Sequence, residues 1–262
     1  MRVYLCEDSI EGIFSALYTA WSERNGHKNN YIKIKKKEVG YNLELFTEYI
    51  EVENSEWYVE QVALAIKKKI SMEAYEWVCK CACSEKEEKG DCIYRFLILG
   101  FEYGKDIIKY IHHPYVLPVF EINREIGREV ERYYQFLRFT QLENDVLYAK
   151  AAPQNNIIEL LAPHFSDRLP NENWIIYDEK RQKAVLYEKR KGYFLMEVKK
   201  EAFEQIEKSM QSDNEKEIEQ LWKKFVSAIS IKERKNIKLQ QNMMPKKFRK
   251  YMVEFKENST AF

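Results

Sequence analysis

Between Asn155 and Trp174 the chain reads NNIIELLAPHFSDRLPNENW. Three residues of this block carry usable chemistry. An imidazole such as that of His164 can give or take a proton near neutral pH. Asp167 is placed to orient it. The guanidinium of Arg168 can grip a phosphate or carboxylate through two parallel hydrogen bonds. Arg138 falls on a neighbouring predicted strand, and Asp178 ends another. His164, Asp167 and Arg168 are therefore the candidate catalytic set, with Arg168 and Arg138 holding a phosphate. Spacing alone favours a plainer reading, in which the same groups satisfy backbone carbonyls and pin a proline-bounded turn.

The second chemical feature is electrostatic. Residues 231–251 carry Lys232, Arg234, Lys235, Lys238, Lys246, Lys247, Arg249 and Lys250 against the single acid Glu233. Phe248 and Tyr251 interleave the charges, a pattern suited to a phosphate backbone with stacked bases. Lys246, Lys247, Phe248, Arg249, Lys250 and Tyr251 join Arg138 as candidate nucleic-acid contacts. Lys33, Lys35, Lys36 and Lys37 form a smaller basic set. A solvated charged surface is the alternative.

Cys79, Cys81, Cys83 and Cys92 are close in sequence, but their spacing suits a metal poorly. Zinc knuckles favour two intervening residues, and on a helix Cys81 points away from Cys79 and Cys83. No metal is assigned to them. His112-His113-Pro114 reads as a turn.

These groups need a scaffold. At 262 residues, with 45% hydrophobic and 32% charged, the chain has the composition of a globular protein. Only 8 glycines are present, and no glycine-rich nucleotide loop, so no cofactor is expected. A net charge of +1 excludes any argument for nucleic acid from the whole chain. Five cysteines, no long apolar run and no secretory leader predict a cytoplasmic protein without a membrane segment.

Arg2 to Cys6 reads as a strand, followed by a helix capped by Asp8 or Ser9. Residues 31–41 alternate and are rich in lysine, like an edge strand. Helical periodicity then dominates to about residue 134, with Ile122, Ile126, Val130 and Tyr133 on one stripe. Residues 136–139, 146–149, 174–177, 184–187 and 193–196 read as five short strands. The fold class is α+β, with a mainly helical N-terminal half (1–135), an antiparallel sheet of about five strands (136–198) and closing helices (201–230). These form one domain, or two closely packed halves, followed by the basic segment 231–262. Within the polar block, Asn155-Asn156 caps a short helix that Pro163 ends, leaving His164 to Arg168 irregular.

The strings FLRF (136–139), LYAKAAPQNNIIELLAPHFSDRLPNENWIIYDEKRQKAVLY (147–187) and MPKKFRKYM (244–252) resemble an uncharacterised bacterial family of DNA metabolism proteins. VYLCEDSIEGIFSALYTAW resembles its opening, so the likeness spans nearly the whole chain. Tyr134-Gln135 departs from the Lys-Gly pair that the family often carries there. Members are encoded beside a DNA-repair radical SAM protein or fused to a uracil-DNA glycosylase-like domain. The resemblance implies an accessory protein of DNA repair or modification. Its partners would be DNA, a radical SAM repair protein and a uracil-DNA glycosylase-like protein. It implies no catalytic residue. A nucleic-acid-processing enzyme using His164 is the alternative.

Overall fold

The computed structural model describes residues 1–24, 26–35, 45–142, 145–201, 203, 220–222, 224, 236–252 and 255. The chain divides into two compact units, Met1–Arg128 and Glu129–Phe262.

The first unit is built on a parallel sheet. Strand β1 (Arg2–Cys6) lies between β2 (Asn30–Ile34) and β3 (Glu48–Glu51), in the order β2-β1-β3, and both pairings are parallel. Val3, Tyr4, Leu5 and Cys6 are buried in succession, as expected of a central strand covered on both faces. Helix α1 (Ile10–Ser22) begins at Ser9, whose hydroxyl accepts from the Gly12 N–H at 2.9 Å. A Cβ at Gly12 would meet the Glu7 carbonyl at 2.5 Å, so the close approach of α1 to the strand end requires glycine.

Helices α2 (Glu56–Lys69), α3 (Met72–Ala82) and α4 (Lys89–Tyr103) follow, and a 3₁₀ segment (Gly104–Lys109) leads into the turn before α5. Ser71 caps α3 as its position predicts. The three ammonium hydrogens of buried Lys89 meet Asp8, the Ala82 carbonyl and the Ser84 carbonyl. His113 accepts from the Tyr115 N–H at 3.1 Å, a turn role. All five cysteines are free, and among the described residues no cluster of His, Cys, Asp and Glu has the arrangement of a metal site. Burial raises the Cys6 thiol to about 12 and the Cys92 thiol to about 11.

Helix α5 (Leu117–Phe136) spans the division between the units. The second unit holds a five-stranded sheet of β4 (Thr140–Gln141), β5 (Val146–Ala151), β6 (Asn173–Asp178), β7 (Lys183–Glu188) and β8 (Gly192–Glu197), in that order. The strand count is as expected, but the sheet is mixed rather than antiparallel. β5 and β6 run parallel, with Leu147 opposite Trp174. Helix α6 (Ile158–Arg168) lies between them in sequence, so the polar block is a β-α-β crossover and not part of a meander.

Three local expectations change with it. Pro163 lies inside α6 instead of ending it, exposed on the helix surface. Proline forfeits one backbone hydrogen bond there, and the apolar contacts of Leu161, Ala162 and Phe165 hold the turn together. Residues 164–168 are consequently helical. FLRF is not a strand either: Phe136 ends α5, and strand pairing starts at Thr140.

Trp174 lies beneath α6, with its ring stacked on Tyr187 at 5.1 Å and edge-on to Phe165 at 6.4 Å. On the other face Phe203 stacks on Tyr177 at 3.9 Å, within a cluster that includes Leu142, Tyr148 and Ala184. The helices expected over 201–230 lie largely outside the described residues, as do Glu143, Asn144, Lys36, Lys37, Lys232, Arg234 and Lys235. Two short C-terminal helices follow, α7 (Ile237–Met243) and α8 (Lys246–Arg249). Among the described residues no helix is long and apolar enough to cross a membrane.

Candidate functional site

Asn155 does not cap α6. Its backbone N–H and side-chain amide both donate to Glu129, at 3.1 and 2.7 Å, and the Gln154 N–H donates to the same carboxylate at 2.8 Å. Ile157 takes the cap position without a side-chain bond. Glu129 comes from α5 and is 5% exposed. It occupies a position on the buried stripe Ile122, Ile126, Glu129, Tyr133. A carboxylate on such a stripe needs partners, because an unpaired buried charge is costly.

Those partners come from two distant segments. Besides the 154–155 donors, Lys247 reaches Glu129 at 3.2 Å from 118 residues away. Burial works to raise the Glu129 pKa. The backbone N–H of Gln154, the Asn155 donors and the Lys247 charge outweigh it, leaving the carboxyl below its ordinary value.

The end of β6 supplies the second anchor. Asp178 is fully buried and accepts from the Lys180 and Arg181 N–H groups and from the Arg181 guanidinium at 3.0 Å. Arg181 continues to the Pro153 and Gln154 carbonyls, tying the β6–β7 turn to the segment between β5 and α6. Next to it, Glu179 accepts from Lys250 at 2.8 Å and from the Tyr251 hydroxyl at 2.6 Å. Those two hydrogen bonds hold Glu179 below the ordinary carboxylate range. The Tyr251 phenol is pushed well up, first by burial and then by its bond to Glu179.

The basic tail is thus a docked strap rather than a free run of charge. Phe248 is buried edge-on to Tyr133 at 5.0 Å and against Phe136 at 5.4 Å. Met252 is buried as well. Arg249 lies over the Phe255 ring at 4.9 Å and donates to the Met244 carbonyl. Lys246 is exposed and has no ion pair among the described residues. Lys247 and Lys250, although paired, keep much of their side chains in solvent.

The proposed acid–base set sits apart from this anchor. His164 is half-buried and stacked on the Tyr134 ring at 3.9 Å. Asp167 and Arg168 are exposed on the last turn of α6. Among the described residues no hydrogen bond joins the three. Arg138 follows α5 and donates to the Gln135 and Leu137 carbonyls, at 3.0 and 3.4 Å.

Glu129, Glu179 and Arg181 are the residues that motif spacing missed, and Asn155 was singled out but in the wrong role. The one available signal was a glutamate on the apolar stripe of α5. Pairing of acids near 129 and 179 with cations near 250 leaves no local periodicity.

Fold and site together define an α+β protein whose mixed-sheet unit clasps its own basic C-terminal segment with two carboxylates. The chain belongs to the family described as a domain of unknown function, DUF4130, whose model matches residues 87–254. The matched region takes in α4, α5 and the whole of the carboxylate–strap arrangement. No curated protein matches the chain.

Proposed function

We propose that this chain is an accessory protein of DNA repair or modification that binds nucleic acid, docks onto a radical SAM repair enzyme, or does both. The surface assigned to that role is the one where the polar block and the C-terminal strap meet. The observation that carries the reading is the convergence itself. Glu129 joins Asn155 to Lys247, and Glu179 joins the end of β6 to Lys250 and Tyr251. Two of the strings that resemble DNA metabolism proteins, 147–187 and 244–252, therefore build one patch, which presents Lys246, Lys247 and Lys250 to solvent. Lysines on a fixed segment suit phosphate recognition, because the strap is already ordered before a polyanion arrives. A uracil-DNA glycosylase-like protein is the further partner this reading includes.

Fluorescence anisotropy with labelled single- and double-stranded DNA, titrated with salt, tests the reading. The wild type is expected to bind with log K falling linearly against log salt. The double variant Lys246→Ala, Lys250→Ala should bind more weakly and lose about 1–2 from the slope. Arg249 is left in place because its guanidinium packs within the strap. In parallel, the tagged chain should retain the radical SAM protein on co-purification. Retention of neither DNA nor that partner would overturn the proposal.

A further inference from the structure

Strand β8 presents an unusual edge. Tyr193, Phe194, Leu195 and Met196 follow one another and are 43, 52, 45 and 41% exposed. Both faces of the strand are therefore partly open at once. Among the described residues β8 pairs on one side only, with β7. Edge strands are ordinarily protected by lysine, proline, a bulge or a covering element. The run YFLM has no charge and no proline, and its outer backbone groups face outward.

The register says which groups those are. Val198 donates its N–H to Gln182, and Gln182 is opposite Val198 by extension of the β7–β8 pairing. Backbone groups alternate sides along an antiparallel strand. Met196, Phe194 and Gly192 therefore bond toward β7, while Glu197, Leu195 and Tyr193 aim their N–H and C=O away from the sheet.

We infer that β8 is a homodimer edge, pairing antiparallel with β8 of a second copy about a two-fold axis at Phe194. Only outward-bonding residues can lie opposite one another in hydrogen-bonded pairs, which limits the two-fold registers. Centring on Leu195 would place Lys191 against Lys199 of the second copy, like charges face to face. Centring on Phe194 places Tyr193 opposite Leu195 twice, and it brings the side chain of Lys191, in the hairpin turn just before β8, alongside Glu197 twice. This second register matches charge and apolar side chains together. Each Tyr193–Leu195 pair exchanges two backbone hydrogen bonds. Lys191 now pairs with Glu188 at the exposed hairpin end and is free to exchange that partner for Glu197. The partner is thus a second copy of this same chain, selected by the self-complementary order of lysine, aromatic, aliphatic and glutamate along seven residues.

The inference is independent of nucleic-acid binding and is tested on the full-length chain without DNA. Sedimentation velocity over a range of micromolar concentrations should show a reversible species of twice the chain mass. Glu197→Lys should weaken it about tenfold, since two symmetric pairs turn from attraction to repulsion. Lys191→Glu added to that variant should restore association. Leu195→Pro should abolish it, because that N–H points away from β7 and its loss breaks only the intermolecular bond. Circular dichroism like the wild type's shows that each variant folds. A monomer at every concentration would overturn the inference. So would a dimer that tolerates both Glu197→Lys and Leu195→Pro.

Discussion

Glu129 carries the most constrained chemistry of any single residue in the second unit. It is buried, charged and held by three donors from 154–155 and one lysine from the strap. Its carboxyl sits below the ordinary value in the folded chain, so the unfolded chain binds the proton more readily. The stabilisation is complete above the ordinary carboxylate range and is lost as pH falls through the depressed folded value. Glu129→Gln keeps the shape and one acceptor but loses the charge. We expect it to lower stability at neutral pH by about 1–3 kcal/mol, read from urea denaturation. The same variant should show a flatter fall in midpoint on acidification than the wild type. His164 presents a contrast. Its ring is packed on Tyr134, and its neighbours Asp167 and Arg168 point their chemistry into solvent without engaging it.

At the scale of elements, α6 and the strap explain each other. The crossover places 151–157 beside α5, where the Glu129 acceptor meets the backbone donors of 154 and 155. The strap then fills the neighbouring aromatic surface with Phe248. Helix α8 has only four residues, too short to hold itself together in water. Its position rests on the burial of Phe248 and Met252 and on the anchors at Glu129 and Glu179. Phe248→Ala should therefore cost about 3–4 kcal/mol, measured by chemical denaturation. Protease cleavage should also appear between residues 236 and 252 in that variant and not in the wild type. If Phe248→Ala leaves both unchanged, the strap is not held by its aromatic anchor.

For the whole molecule, the two associations proposed above rest on opposite physics. The proposed contact with DNA through Lys246, Lys247 and Lys250 would be electrostatic and release counterions. The inferred pairing of β8 with a second copy would rest on backbone hydrogen bonds and apolar side chains, with two exposed ion pairs contributing little. Raising salt from about 50 to 200 mM should weaken DNA binding by an order of magnitude or more while leaving the dimer constant within about threefold. Parallel titrations by anisotropy and sedimentation check this. If both change together, one of the two surfaces has been misassigned.

The sequence by itself determined the α+β class, most element positions and the buried stripes, because apolar periodicity of two or 3.6 residues is a local property. Ser9 and Ser71 were legible as caps for the same reason. On α5 the apolar stripe was read through Val130, whereas the structure buries Glu129 and leaves Val130 half-buried. Only the tertiary structure decided that β5 and β6 run parallel. That outcome depends on a helix continuing through Pro163, which local propensity opposes and burial of Leu161, Ala162 and Phe165 supports. Only the tertiary structure, likewise, turned the basic tail from a free polycation into a docked strap. Its counter-charges lie 118 and 71 residues away at Glu129 and Glu179, and no sequence period connects charges so far apart. Their pairing follows from burial, which leaves a carboxylate such as Glu129 no solvent and obliges the chain to bring it a cation.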